Sequence, residues 1–318
     1  MKRLTMAAFA ACVTVFLLHS PAVAKYPEKA IQVIVPAKAG GSSDLLARMF
    51  QKAFNEGGLL GAPMAIVNVP GAGLSIGSRR VKDAKPDGYT FLLTHVALLS
   101  RQASGLSDFG YKDFEPVAQS VGFCVVASVK DDSPYKTLGE LLKEAKGKPD
   151  SVIFGANLGA LNHMAGLTLQ GSSAGSVFRF VQIGGGAKNF AAMKGGHIQL
   201  STFGAPLYNK FRSGGIRGLA ILANERHPLL ADLPTAKEQG FDANFCVENF
   251  WFAPKGTPQV AIDHFAGALE KALQTEGIKK QLRDGFSTPS YLKGAAFKAK
   301  LEKAYERISP IAKRATKK

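Results

Sequence analysis

Ile31-Gln32-Val33-Ile34-Val35-Pro36-Ala37-Lys38-Ala39-Gly40-Gly41-Ser42-Ser43-Asp44-Leu45-Leu46 decides how this chain is read. Residues 31–35 form a short apolar, β-branched run of the length of a buried strand. Past the glycines, Leu45, Leu46, Met49, Phe50, Ala53 and Phe54 recur on one face of a helix. Gly40 and Gly41 let the backbone approach a ligand with no Cβ in the way. Ser42, Ser43 and Asp44 are residue types that cap a helix N-terminus. Unpaired N–H groups and the positive end of the helix dipole turn such a strand, turn and helix into an anion site. The plain alternative is a well-capped turn that holds nothing.

Outward from this unit the alternation repeats. Residues 65–69 read as a strand that runs into Pro70-Gly71-Ala72-Gly73-Leu74-Ser75-Ile76-Gly77. Lys85-Pro86-Asp87-Gly88 is a turn before a third strand at 89–94. Strands separated by helical stretches indicate βαβ units, a parallel sheet and an α/β class. Residues 117–129 form a long extended run containing Cys124. Thr137-Leu138-Gly139-Glu140 has the form of a capping box. A strand at 151–154 leads through Gly155-Ala156-Asn157-Leu158-Gly159-Ala160-Leu161-Asn162-His163 into a helix from Met164. Further strands are read at 177–183, at 198–203 (ending in Phe203) and at 216–222. The loop Gly184-Gly185-Gly186 opens a short helix ending at Gly195-Gly196. Residues 245–252 form a second extended run, with Cys246. Thr257 as N-cap and Pro258 at N1 then begin a helix with Val260, Phe265, Ala268 and Leu269 on its inner face. Residues 296–308 are helical and charged.

One spacing occurs twice. Ala37-x-x-Gly40-x-x-x-Asp44 and Ala156-x-x-Gly159-x-x-x-His163 each lie between a strand and a helix. The echo suggests two similar lobes, each presenting a glycine turn at a helix N-terminus. Facing lobes would aim both helix ends into one cleft, outside the carboxyl ends of the strands where α/β sheets bind ligands.

The bulk properties narrow the function. Met1-Lys2-Arg3, an apolar run over 4–18 and Ala22-Val23-Ala24 make a secretory signal peptide over 1–24, cut before Lys25. The rest of the 318 residues suffices for two domains. The formal net charge is +16. Its cations are scattered, apart from Lys313-Arg314-Ala315-Thr316-Lys317-Lys318, and not interleaved with aromatics, so nucleic acid is not expected and attraction for small anions is. Cys124 and Cys246 lack zinc spacing, and an oxidising compartment permits either a disulfide or two separate thiols. His197, His227 and His264 lack metal-ligand spacing. Gly71-Ala72-Gly73-x-x-x-Gly77 lacks the acidic residue that a dinucleotide site places after the next strand, so no cofactor is expected. No His-Glu-x-x-His occurs and no nucleophile–base set is recognised. His95, just after the third strand, suits a hydrogen bond to a ligand carboxylate or a capping role. His163 suits ordering of its own turn, and Arg179 a surface-facing edge.

Six segments, in order, resemble the substrate-binding proteins of the tripartite tricarboxylate transporter family, the Bug-type periplasmic solute receptors. They are Tyr26-Pro27-Glu28-Lys29-Ala30-Ile31 with Val33-Ile34-Val35-Pro36; Ala39-Gly40-Gly41-Ser42-Ser43-Asp44; Asn68-Val69-Pro70-Gly71-Ala72-Gly73; Lys85-Pro86-Asp87-Gly88-Tyr89-Thr90; Leu233-Pro234-Thr235; and Ala253-Pro254-Lys255-Gly256-Thr257-Pro258. The resemblance implies a two-lobed, periplasmic-binding-protein-like (type II) α/β fold whose lobes are joined by two crossing strands. One lobe would take 25–120 and 250–318, the other 121–249. The crossings would fall at the runs containing Cys124 and Cys246, where a disulfide could staple the hinge; the demands of bridge geometry weigh towards separate thiols.

The resemblance further implies a periplasmic, monomeric receptor without cofactor, holding a small organic acid for integral-membrane transporter subunits. A sensor kinase is the alternative partner, and a secreted enzyme the more distant rival. Its ligand residues would be Ala39, Gly40, Gly41, Ser42, Ser43 and Asp44 in the first turn, with His95 beside them. Ala156, Asn157, Gly159, Ala160, Asn162 and His163 would serve in the second, with Gly184, Gly185 and Phe203. Departures from the family lie in the second lobe. Gly159-Ala160-Leu161-Asn162-His163 replaces a hydroxyl-rich run, leaving backbone N–H groups and Asn162 for polar binding there. Ile183-Gly184-Gly185-Gly186-Ala187 lacks the usual polar side chains, Gln199 replaces an acid, and Glu248-Asn249-Phe250-Trp251-Phe252 alters an aromatic-glycine pattern. A more apolar pocket favours a monocarboxylate or aromatic acid over citrate.

Overall fold

The computed structural model describes residues 26–314. The signal peptide, its cleavage before Lys25 and the end of the basic tail lie outside the described residues. In chain order the first elements are β1 (Ile31–Val35), α1 (Ser42–Gly57), β2 (Met64–Asn68), α2 (Ser75–Lys82), β3 (Thr90–Thr94), α3 (Ala97–Ala103) and β4 (Phe114–Lys130). Then come α4 (Leu138–Gly147), β5 (Val152–Ala156), α5 (Leu161–Gly171), β6 (Phe178–Gln182), α6 (Gly186–Lys194), β7 (Ser201–Gly204), α7 (Ala205–Phe211) and β8 (Ile216–Ile221). The chain returns through β9 (Cys246–Pro254) and closes with α8 (Gln259–Gln274), α9 (Glu276–Asp284), β10 (Thr288–Lys293) and α10 (Gly294–Arg314).

The fold is a two-lobed α/β architecture in which β4 serves both sheets. Its first half lies between β9 and β10 in the order β10-β4-β9-β3-β1-β2, with β1 parallel to β2 and β3. Its second half pairs antiparallel with β7 and β8. A bridge from Phe154 to Leu200 extends that sheet to the parallel pair β5 and β6. The change of partners is sharp: Gly122 still faces Glu248 of β9, whereas Val125 faces Gly204 of β7.

Between these positions Cys124 and Cys246 are register partners and are joined by a disulfide, not left as separate thiols. The bond ties the outgoing crossing strand to the returning one. Nearby, the Trp251 indole donates to Ser120 Oγ at 2.8 Å and Asn249 Nδ2 to the Val121 carbonyl at 3.2 Å.

The burial pattern explains the first unit. Leu46, Phe50 and Phe54 of α1 are buried in one cluster with Phe91, Trp251 and Phe265, and Phe91 stacks on Phe265 with centroids 4.0 Å apart. Burying a side chain of this size stabilises by about 1.5–3 kcal/mol. Leu45, expected on the same face, is 38% exposed. Two details of α8 also differ from expectation. Thr257 donates its hydroxyl to the Pro254 carbonyl at 2.8 Å instead of capping, so Pro258 is the N-cap, and Val260 is exposed. Arg179 lies exposed on β6, as read. Helix α10 packs across both lobes, touching α3 on one side and α5 on the other. Among the described residues no helix is long and apolar enough to cross a membrane.

Candidate ligand-binding cleft

Three helices begin at the rim of one cavity, and the first turn of none is capped by a side chain. The N-caps are Gly41 for α1, Ala160 for α5 and Gly185 for α6. The cavity, about 480 Å³, is lined from the first lobe by Ala39, Gly41, Ser42, Ser43 and His95. The second lobe supplies Asn157, Ala160, Asn162, Gly184, Gly185 and Phe203. The opening N–H groups of a helix have no acceptor inside it, and the dipole is positive there.

The repeated spacing has one structural meaning. Gly40 and Gly159 both take a left-handed backbone, with φ of 81° and 80°. The Gly40 N–H donates to Asp44 Oδ2 at 2.9 Å, and the Gly159 N–H donates to His163 Nδ1 at 3.1 Å. Each turn is closed by the side chain four residues on, which leaves the later N–H groups at the helix start to point outward.

Five expected ligand residues are therefore supports that do not line the cavity: Gly40, Asp44, Ala156, Gly159 and His163. Asp44 is 2% exposed, and besides Gly40 it accepts from Arg48 Nε and Asn68 Nδ2, each at 3.0 Å. Burial pushes its carboxyl up, but the hydrogen bonds from Arg48, Gly40 and Asn68 outweigh that and hold it below the usual carboxylate range. Ala156 is buried in β5, where its carbonyl accepts from the N–H groups of Ile183 and Gly184. Asn162 lines the cavity, but its side chain ties loops together. Its Oδ1 accepts from the Asn157 N–H at 3.0 Å, and its Nδ2 donates to the Gly184 carbonyl at 3.3 Å. Both polar atoms of the Asn162 amide are thereby engaged within the protein.

His95 keeps one nitrogen for the cleft. Its Nδ1 accepts from the Ala97 N–H at 3.3 Å, which places the ring proton on Nε2. Burial pushes the pKa values of both His95 and His163 down to about 4. In an unfolded chain they titrate near 6.5, so between pH 6.5 and 4 the unfolded state binds more protons. Their contribution is whole above about pH 6.5 and falls with acid, by roughly 2 kcal/mol per histidine at pH 5. Urea midpoints at pH 7 and pH 5 check this: His163→Asn, which keeps an acceptor, should flatten the dependence. An unchanged acid loss in that variant would contradict it.

Sequence reading missed the cations. Lys38, Arg101 and Lys188 line the cavity, and among the described residues no acidic side chain does. It also missed Phe123 and Leu207, which join Phe203 in an apolar wall, and one spelling, Gly73-Leu74-Ser75-Ile76-Gly77, which fits the Gly-x-Ser-x-Gly of a hydrolase elbow. Here Ser75 begins α2 and its Oγ accepts from Arg101 Nε at 2.7 Å, whereas an elbow serine donates its proton to a histidine. The lobes touch through Ser100 of α3, whose buried hydroxyl donates to the Gly159 carbonyl at 2.7 Å. Among the described residues no cluster of three or more His, Cys, Asp or Glu could hold a metal ion.

A family described as tripartite tricarboxylate transporter family receptor matches residues 46–314. Protein BugT of Bordetella pertussis is 29% identical over 273 residues, covering 83% of this chain and 82% of that protein. A solved periplasmic transporter is 30% identical, with a TM-score of 0.84 and coverage of 92% of this chain and 98% of that one. Periplasmic binding protein BugD is 25% identical, with a TM-score of 0.83 over 91% of this chain and 98% of that one.

Proposed function

This chain belongs to the tripartite tricarboxylate transporter family of receptors, and we propose that it captures a small organic carboxylate between its lobes and presents it to membrane subunits of such a transporter. One observation carries the reading. Three uncapped helix N-termini and three cationic side chains surround a cleft with no acid among its described lining residues. That lining suits an anion. We place the carboxylate on the N–H groups and hydroxyls of Ser42 and Ser43, with the Nε2–H of His95 as a further donor. Charge-assisted bonds of this kind contribute about 1.5–3 kcal/mol each, so a few support micromolar affinity.

The walls suggest the rest of the molecule. Phe123, Phe203 and Leu207 offer apolar surface in place of hydroxyls. A ligand with an aromatic or hydrocarbon body fits them, and a densely charged one such as citrate does not. The protein would act in the periplasm after loss of residues 1–24, and closure of the lobes would expel water from around the ligand. No reaction belongs to this reading. The Ser75 hydroxyl and His95 Nδ1 are both engaged by other groups of the chain.

A thermal-shift screen over mono-, di- and tricarboxylates and aromatic acids tests the proposal. A true ligand at 100 times its Kd should stabilise the protein by about 2.7 kcal/mol. If only uncharged solutes raise the melting temperature, the carboxylate reading is wrong.

A further inference from the structure

Helix α9 ends in a turn at odds with the residue types placed in it. Gly285 is the C-cap, with φ of −90°, and the next residue, Phe286, takes a left-handed backbone with φ of 56°. Helices commonly close on a glycine in that conformation, because a Cβ is crowded there. Here glycine stands in an ordinary conformation and phenylalanine in the strained one. The turn is fully formed: the Phe286 N–H donates to the Arg283 carbonyl at 3.2 Å, and the Ser287 N–H to the Leu282 carbonyl at 2.9 Å. Strain of this kind persists only where the surroundings fix the residue from several sides.

Those surroundings belong to the other lobe. On either side of Phe286, α9 packs on α1 and α8, and β10 pairs with the first half of β4. Phe286 is nevertheless 4% exposed, in a cluster whose other buried members, Phe203, Leu207 and Leu230 among them, all lie between Val126 and Leu233. The His227 ring stacks on it with centroids 5.1 Å apart, and the Arg212 guanidinium carbon lies 5.5 Å from its centroid. His227 is itself held, since its Nδ1 accepts from the Leu229 N–H at 3.2 Å. Arg212 directly follows α7, whose Leu207 lines the cleft together with Phe203. The crossing strands link the lobes covalently, and Phe286 links them a third time by packing, beside β4 on the edge away from β9. A rotation of the second lobe about the crossing point slides the socket off the ring. The ring is seated while the lobes touch, with the Ser100 hydroxyl bonded to the Gly159 carbonyl.

We infer that Phe286 is a positioning residue, a first-lobe plug seated in the second lobe that holds the lobes together and steadies the α7 wall of the cleft before a ligand arrives. A receptor whose closed form is already populated loses little affinity to the cost of closing. The plug therefore raises affinity without touching the ligand. That consequence rests on the carboxylate-receptor reading; the seating of the ring does not depend on what the cleft holds.

Small-angle X-ray scattering of the ligand-free protein tests the plug on the wild type, Phe286→Gly, Phe286→Leu and Arg212→Gln, with far-UV circular dichroism to check folding. F286G relaxes the left-handed turn and removes the ring, so its effect is confined to the socket. The expected result is a larger radius of gyration for F286G than for the wild type, with F286L between them. R212Q, a change at an exposed side chain, should shift in the same direction. The Kd values for hexanoate and benzoate should rise about ten-fold in F286G, chiefly through faster dissociation. The inference is overturned if folded F286G scatters as the wild type does, or if it binds either acid as tightly as the wild type. Should F286G fail to fold, F286L and R212Q decide: wild-type scattering from both overturns the inference, and expansion of both supports it. If neither acid binds any of the proteins, the receptor reading is what is in question, and the scattering alone decides the role of Phe286.

Discussion

The double variant C124S/C246S is expected to lose about 2–5 kcal/mol of stability relative to the oxidised protein. The cysteines are 122 residues apart in sequence, and the bond closes a loop that contains the whole second lobe. In the chain-entropy account a loop of this length gains near the top of that range, because the unfolded chain loses most freedom when distant points are joined. Position adds to the effect. The bridge joins β4 and β9 where β4 leaves one sheet for the other, so without it the two crossing strands are held together there mainly by backbone pairing. Urea unfolding of the two proteins, compared at constant m, measures the difference. A difference below about 0.5 kcal/mol would mean that the bond contributes nothing beyond the strand pairing already present.

Gly41→Leu is expected to lower ligand affinity by about a hundred-fold or more, equivalent to about 2.7 kcal/mol, while the fold survives. Gly41 has φ of −81° and ψ of 168°, a conformation that any residue adopts. A Cβ there meets only the Lys38 carbonyl at 3.4 Å, an ordinary contact. The added side chain nonetheless stands at the N-cap of α1, on the lining of the cleft, where the carboxylate is proposed to sit. Gly40 cannot serve the same experiment, because its φ of 81° strains any replacement and confounds folding with binding. Titration calorimetry with the best acid from the screen, beside a thermal melt, separates the two effects. Retained affinity would move the carboxylate away from this turn.

What the sequence made legible follows the range of the physics involved. Strands such as β1 and β5 announce themselves through local apolar runs. The Thr137 capping box needs only neighbouring residues, and its Oγ1 does accept from the Glu140 N–H at 3.2 Å. The edge strand β10 carries Pro289 and is largely exposed, so it offered neither alternation nor a buried run. The glycine turns were readable as candidate anion sites because backbone N–H groups need no particular side chain. The ordering role of His163 was readable, but the use to which Asp44 and Asn162 are put was not. Both are polar residues near a cleft, and only distances show that their side-chain oxygens and nitrogen are already engaged. Arg101 was hidden for a different reason. It is one of 40 basic residues, on a helix that the pattern did not reveal. The pairing of Cys124 with Cys246 required the register of two strands that lie far apart in the chain.

The central claim is that the start of α1 holds the acid group, and a crystal structure with the tightest-binding acid from the screen tests it most directly. The account predicts carboxylate oxygens within about 3 Å of the backbone nitrogens of Ser42 and Ser43. An acid group seated only on the second-lobe turns, or outside the cleft, would contradict it.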